Sequence, residues 1–165
     1  MATGSGLLLR RLAVRPTRPR EAVGVDRAPR MLANVGALPD GWRAIGADAR
    51  HVPLPDGWAD VVTCAYLLHL LEPEARGEVL AEARRLLVPG PPARLVVVTV
   101  WSPRPAVRSA LALLARARPG ACGGLAPLDP SADLGRAGFG VTRRAVVPRH
   151  GYPSLVLRAE PASPT

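Results

Sequence analysis

M-A-T-G-S-G, Met1 to Gly6, opens the chain and reads as the back half of a nucleotide-binding glycine turn with no strand in front of it. Glycine has no Cβ and tolerates positive φ, so a Gly-x-Gly turn lets backbone approach a ligand closely. The leucine-rich segment behind it, Leu7 to Val14, predicts a helix that stops before Pro16 and offers its positive N-terminal end to the turn. Many surface loops contain Gly-x-Gly, so the turn gains its meaning from the order of the segments that follow.

Short β-like runs alternate with helical patterns, which predicts an α/β domain with a mostly parallel sheet. Strands are expected at Ala22 to Asp26, Arg43 to Ala47 and Asp60 to Ala65, the last rich in β-branched residues. Pro29 to Val35 reads as a helix with proline in its first turn. The clearest helix is Pro73 to Leu87. Its Val79, Leu80, Ala83, Leu86 and Leu87 recur at helical spacing, with Glu74, Arg76, Glu78, Glu82 and Arg85 largely on the other side. A-R-L-V-V-V-T-V-W, Ala93 to Trp101, is apolar on both faces and is expected at the sheet centre.

Further on, Val107 to Arg118 reads as a helix and Pro119 to Pro130 as a Gly/Pro-rich loop. Ser131 to Ala137 reads as a short helix capped by Ser131. Val141 to Val147 and Ser154 to Ala159 read as strands whose short connection, Pro148 to Pro153, implies an antiparallel pair. Trp42 and Trp58 flank turns and are expected on the sheet rim. The whole chain, 1–165, reads as one domain, with 161–165 a frayed tail.

Composition narrows the function classes. With 165 residues and 48% hydrophobic content, the chain can bury a core of its own. No apolar run suits a bilayer span, and Leu7 to Leu9 is too short for a secretory signal. Cys64 and Cys122 are the only cysteines, so neither a disulfide framework nor a metal site is expected, and a reducing cytoplasm is the default location. The net charge is +9 and every basic residue is arginine. The arginines are scattered, however, and the 4% aromatic content is poor for base stacking, which argues against nucleic acid as a partner.

Read in order, the motifs are Gly4-x-Gly6; G-V-D at Gly24 to Asp26, followed by R-A-P-R-M-L; G-A-D-A-R-H-V-P-L-P-D-G-W-A-D-V-V at Gly46 to Val62; L-L-H-L-L at Leu67 to Leu71; E-A-R-R-L-L-V-P-G at Glu82 to Gly90; and R-L-V-V-V-T. This series resembles the class I S-adenosylmethionine-dependent methyltransferases, most of all the small-molecule branch that includes the quinone-biosynthesis C-methyltransferases. The resemblance runs from Ala2 to about Ala159. It implies a Rossmann-like sheet of order 3-2-1-4-5-7-6 with an antiparallel last strand, S-adenosylmethionine as cofactor and a small-molecule methyl acceptor.

The resemblance also implies site residues. Ala2, Thr3, Gly4, Ser5 and Gly6 would form the turn beside the methionine part of the cofactor. Asp26, at the ligand-binding end of a strand, would accept bonds from the ribose hydroxyls, with Arg27 next to it; its alternative is a helix cap ahead of Ala28. Asp48 and Ala49 would meet the adenine, the alternative for Asp48 being a plain turn acid, and Met31 could pack on it or in the core. Cys64 and Ala65 would leave room for the sulfonium end. Catalytic residues are unassigned; His69, His150 and Tyr152 are the candidates at the C-terminal edge of the sheet, each with a plain structural alternative. Arg104 is either an anchor for an acidic substrate or a solvated arginine.

Two departures qualify the pattern. The first strand of the sheet is largely missing, family members often reading D-V-A-T-G-x-G where this chain starts at Met1, and the N-terminal helices that cover the substrate in the family are missing as well. The expectation is therefore an N-terminally truncated member whose natural start lies upstream, and which folds poorly or binds cofactor weakly on its own. A non-catalytic remnant or interaction subunit is the alternative function. A dehydrogenase is disfavoured because Leu9 stands where Gly-x-Gly-x-x-Gly requires glycine. Thr63-Cys64-Ala65-Tyr66, in place of an N-P-P-Y-like tetrad, argues against base methylation.

Overall fold

The structure, a computed structural model, describes residues 1–117, 126–148 and 153–162. The chain divides into two compact units, Met1–Pro53 and Leu54–Thr165.

The first unit contains α1 (Leu7–Ala13), β1 (Ala22–Asp26), α2 (Pro29–Leu32) and β2 (Trp42–Gly46). β1 and β2 pair in parallel, Ala22 opposite Trp42 through Asp26 opposite Gly46. Leu9, Val35 and Trp42 form its core, with Leu12, Leu32 and Leu38 against them. Trp42 is thus a core residue rather than a rim cover; its indole N–H donates to the Pro19 carbonyl at 3.1 Å, which satisfies the one polar atom it buries. α2 is shorter than its pattern suggested. After Leu32 the backbone bonds tighten to the i−3 spacing, Asn34 N to Met31 O and Val35 N to Leu32 O, and Gly36 at φ 74° ends the turn.

The second unit contains β3 (Val61–Ala65), a 3-10 turn at Leu68–Leu70, α3 (Pro73–Leu86), β4 (Arg94–Val100), α4 (Pro105–Ala117), α5 (Ser131–Arg136), β5 (Phe139–Val147) and β6 (Ser154–Pro161). Its sheet runs β3-β4-β6-β5. β3 is parallel to β4, and β6 is antiparallel to both β4 and β5. This is the 4-5-7-6 part of the expected order, and β1-β2 supplies the 2-3 part. β4 lies inside its sheet, as its two apolar faces required. Leu95 and Val97 of β4 and Leu155, Leu157 and Ala159 of β6 are completely buried. β5 is the outer strand, exposed at every residue after Phe139, with a register shift between Val141 and Arg143.

α3 buries Val79, Leu80, Ala83 and Leu86, the stripe its spacing predicted. Glu82 departs from that pattern. It is buried, and the Arg85 guanidinium donates two bonds of 2.7 Å to its carboxylate. Arg85 also donates to the Leu54 carbonyl at 2.9 Å and pairs with Asp56. A charge is tolerated here because it is matched and hydrogen-bonded. Ser131 departs too. It is the first residue of α5, with Pro130 in the cap position, and its hydroxyl donates to Asp129. The α5 acid that matters is Asp133, buried and ion-paired with Arg76 of α3 at 3.1 Å.

Leu157→Ala should cost about 2–5 kcal/mol, because it opens a cavity in a sheet face that cannot collapse. The equivalent truncation on the outer strand, Val146→Ala, should cost about 0.5 kcal/mol or less. Urea unfolding of both variants checks the contrast.

Candidate functional site

In the first unit the segment before the glycine turn lies against β1, with Thr3 N donating to Val25 O at 2.8 Å. Gly24 makes this possible. A Cβ there would stand 2.7 Å from Leu9 Cδ1 and 2.8 Å from Thr3 Oγ1. The turn takes positive φ at Ala2 (53°), Gly4 (55°) and Gly6 (77°). Gly6 starts α1 and packs on Val35, whose Cγ1 a Cβ would approach to 2.9 Å. Gly4 is different, because a Cβ built on it meets nothing within 4 Å. The backbone there borders open space.

Asp26, at the end of β1, organises the cradle. Its Oδ2 accepts from Gly4 N at 2.7 Å and its Oδ1 from Ala28 N at 2.9 Å. One carboxylate thereby ties the glycine turn to the start of α2. A carboxylate has about four acceptor positions, so two such bonds leave capacity for further donors. The helix-cap alternative is met in part, since the Ala28 bond is local, but the Gly4 bond crosses 22 residues. Met31 of α2 is half exposed.

Asp48 follows β2 and has a partner that sequence reasoning missed. Arg50 donates its backbone N–H (2.9 Å) and Nε–H (3.0 Å) to Oδ1, and Nη2 (2.8 Å) to Oδ2. These bonds hold the carboxyl well below the usual carboxylate range, so Asp48 is ionised at any working pH. Ala47 N donates to Asp26 O at 3.2 Å, which links the ends of the two strands. The first unit therefore carries Ala2, Thr3, Gly4, Ser5, Gly6, Asp26, Arg27, Met31, Asp48 and Ala49.

Cys64 and Ala65 belong to the second unit, at the end of β3. Cys64 is buried and desolvation pushes its thiol up to about 11, so it stays protonated and serves as a small apolar residue. Tyr66, next in sequence, holds φ 55° without being glycine. Its N–H donates to Val98 O at 2.8 Å, and its hydroxyl shares a 2.7 Å bond with the Ser154 hydroxyl at the start of β6. Strained backbone of this kind, held by the surrounding structure, gathers at ligand sites. No sequence signal marked it.

His69 lies in the 3-10 turn, 9% exposed, with both ring nitrogens closed to solvent and without a hydrogen-bond partner. Burial pushes its pKa down to about 4. Its ring meets the Tyr66 ring edge-on at 6.2 Å. Two more side chains stand near the C-terminal end of β4: Trp101, and Arg108 of α4 with its guanidinium 5.5 Å from the indole centre. His150 and Tyr152 lie outside the described residues. Among the described residues no group of His, Cys, Asp and Glu is placed to hold a metal, and no helix is long and apolar enough to cross a membrane.

A family profile described as "Methyltransferase domain" matches residues 1–90. No curated protein sequence matches. Among solved structures, a SAM-dependent methyltransferase from Methanosarcina mazei shares the fold at a TM-score of 0.73 and 14% identity, over 98% of this chain and 90% of that one. CalO1, a methyltransferase in calicheamicin biosynthesis in its SAH-bound form, aligns at 0.71 and 20% identity, over 98% of this chain and 47% of that one. The [4+2]-cyclase SpnF aligns at 0.74 and 16% identity, over 98% of this chain and 73% of that one. The order of strands, the glycine turn and the family match over more than half the chain lead to one conclusion: the chain belongs to the methyltransferase domain family.

Proposed function

We propose that the chain transfers a methyl group from S-adenosylmethionine to a small-molecule acceptor. The observation that carries this reading is the pairing of an open glycine backbone at Gly4 with a carboxylate, Asp26, fixed beside it. A flexible ligand chain needs the first and a ribose diol needs the second. Asp48 and Ala49 are the choice for the adenine, with Met31 as an apolar cover. When bound, the cofactor supplies a methyl group on a sulfonium that is already a good leaving group. The work left to the chain is to hold and orient, which is worth several kcal/mol of barrier by itself. The two-cysteine composition suits a reducing cytoplasm. The motif pattern resembles the small-molecule branch that includes the quinone-biosynthesis C-methyltransferases, and acceptors of that branch are the first to screen.

His69 is better suited to packing than to proton abstraction. Both of its nitrogens are closed off, and a group titrating near 4 is a poor base at neutral pH. Because solved neighbours of this fold include a cyclase, the assay must follow S-adenosylhomocysteine formation rather than acceptor consumption alone.

Asp26→Asn should weaken S-adenosylhomocysteine binding about ten- to hundredfold, the loss of charge-assisted hydrogen bonds. Asp40→Asn, at an exposed position, should leave it unchanged. Calorimetric titration decides, and equal affinity of wild type and Asp26→Asn would remove the cofactor role from Asp26. No binding by the folded wild type would favour the non-catalytic reading.

His69 also predicts an acid sensitivity. The unfolded imidazole takes up a proton near pH 6.5 and the folded one only near 4, so stability contributed by this residue is full above 6.5 and is lost as pH falls towards 4. His69→Leu should flatten that part of the profile, measured as urea midpoints between pH 7.5 and pH 4.5.

A further inference from the structure

Trp101 follows β4 at the C-terminal end of its parallel pairing with β3, the end at which α/β sheets bind ligands. Its backbone is pinned there by Trp101 N donating to Pro153 O at 3.1 Å. Two guanidiniums stand against the indole: Arg144 of β5 at 4.6 Å from the ring centre and Arg108 of α4 at 5.5 Å. A third arginine, Arg104, is exposed one residue ahead of α4.

The charges at this corner do not balance. Arg144 has an acid of its own, Asp129, at 2.8 Å, and that pairing helps hold the Asp129 carboxyl below its ordinary range. Arg108 has none among the described residues. Its Nη1 donates to the carbonyls of Ser102 (2.9 Å) and Pro103 (3.1 Å), bonds that aim the guanidinium without neutralising it. Nε and Nη2 keep their donors, and the planar fork they form matches a carboxylate or phosphate face. The stretch from Trp101 to Leu128 contains no Asp or Glu. One half-buried cation, positioned by two carbonyls and left uncompensated beside an aromatic wall, is an arrangement that binds an anion.

We propose that Arg108, with Trp101 as its wall and Arg104 beside it, is a subsite for an anionic group of the methyl acceptor, a carboxylate or a phosphate on a small molecule. The assignment to the acceptor rests on the methyltransferase reading; the anion site itself does not.

The test uses the full chain and titrates benzoate, its neutral twin benzamide, and phenyl phosphate, followed by NMR chemical-shift changes of the Trp101 indole N–H and by calorimetry. The two anions should bind and benzamide should not. Arg108→Gln should weaken the anions at least tenfold, Arg108→Lys should recover part of the loss, and Arg15→Gln, an exposed arginine of the first unit, should change nothing. Equal binding of benzoate and benzamide, no binding of either anion, or equal losses in Arg108→Gln and Arg15→Gln would overturn the site. Thermal melts of each variant separate lost binding from lost fold. S-adenosylhomocysteine is titrated in parallel. Anion binding without cofactor binding would sink the methyltransferase reading and spare the site. Cofactor binding without anion binding would do the reverse.

Discussion

Everything in the second unit hangs on β4. It carries ladder hydrogen bonds on both edges, parallel to β3 and antiparallel to β6, and its Leu95, Val97 and Val100 are fully enclosed. A strand in that position has no polar face to give away, which is why Leu95 to Val98 is an unbroken apolar run that supplies both sides of the pleat. The same burial fixes the direction in which chemistry can be presented. Side chains at the end of the strand, such as Trp101, and those at the end of its parallel neighbour, such as Tyr66, emerge at one edge. Thr99 adds a lateral tie, its hydroxyl donating to Leu128 O at 2.8 Å while Leu128 N returns a bond to Val100 O at 2.9 Å.

The sequence was most informative where one periodicity governs. The strands follow from short β-branched or apolar runs, the α3 stripe from period-3.6 spacing and the antiparallel β5–β6 pair from its short connection, and they emerged within a residue or two. It was least informative where one side chain changes another's setting. Glu82 falls off the apolar stripe by spacing, yet Arg85 draws it into a buried pair. Ser131 has the residue type of a cap, yet Asp129 takes its hydroxyl. Arg50 captures Asp48 from two residues away, a contact that no motif records. Trp42 looks like a turn-side aromatic until Val35 and Leu9 are folded around it.

For the candidate site the division is similar. Gly4, Gly6 and Asp26 could be read from a turn and a strand end in the right order. The bond that joins them, Gly4 N to Asp26 Oδ2, depends on Gly24 giving Thr3 room beside β1. That requirement is tertiary, since Gly24 otherwise reads as an unremarkable strand residue. Tyr66 was invisible for another reason: nothing in tyrosine predicts a left-handed backbone, which is imposed by Val98 and Ser154 on either side.

The outer strand has a consequence for how the molecule behaves in company. A long strand with Val141, Val146 and Val147 exposed would ordinarily recruit a strand from another molecule. Here Arg143 and Arg144 interrupt the apolar run with two fixed charges, and the irregularity at Val141/Arg143 bends the edge at the same place. A second strand docking on this edge would have to follow a kinked ladder past those charged side chains. Charges and a kink of this kind disfavour edge-to-edge pairing, so a strand with this much valine can end the sheet instead of extending it.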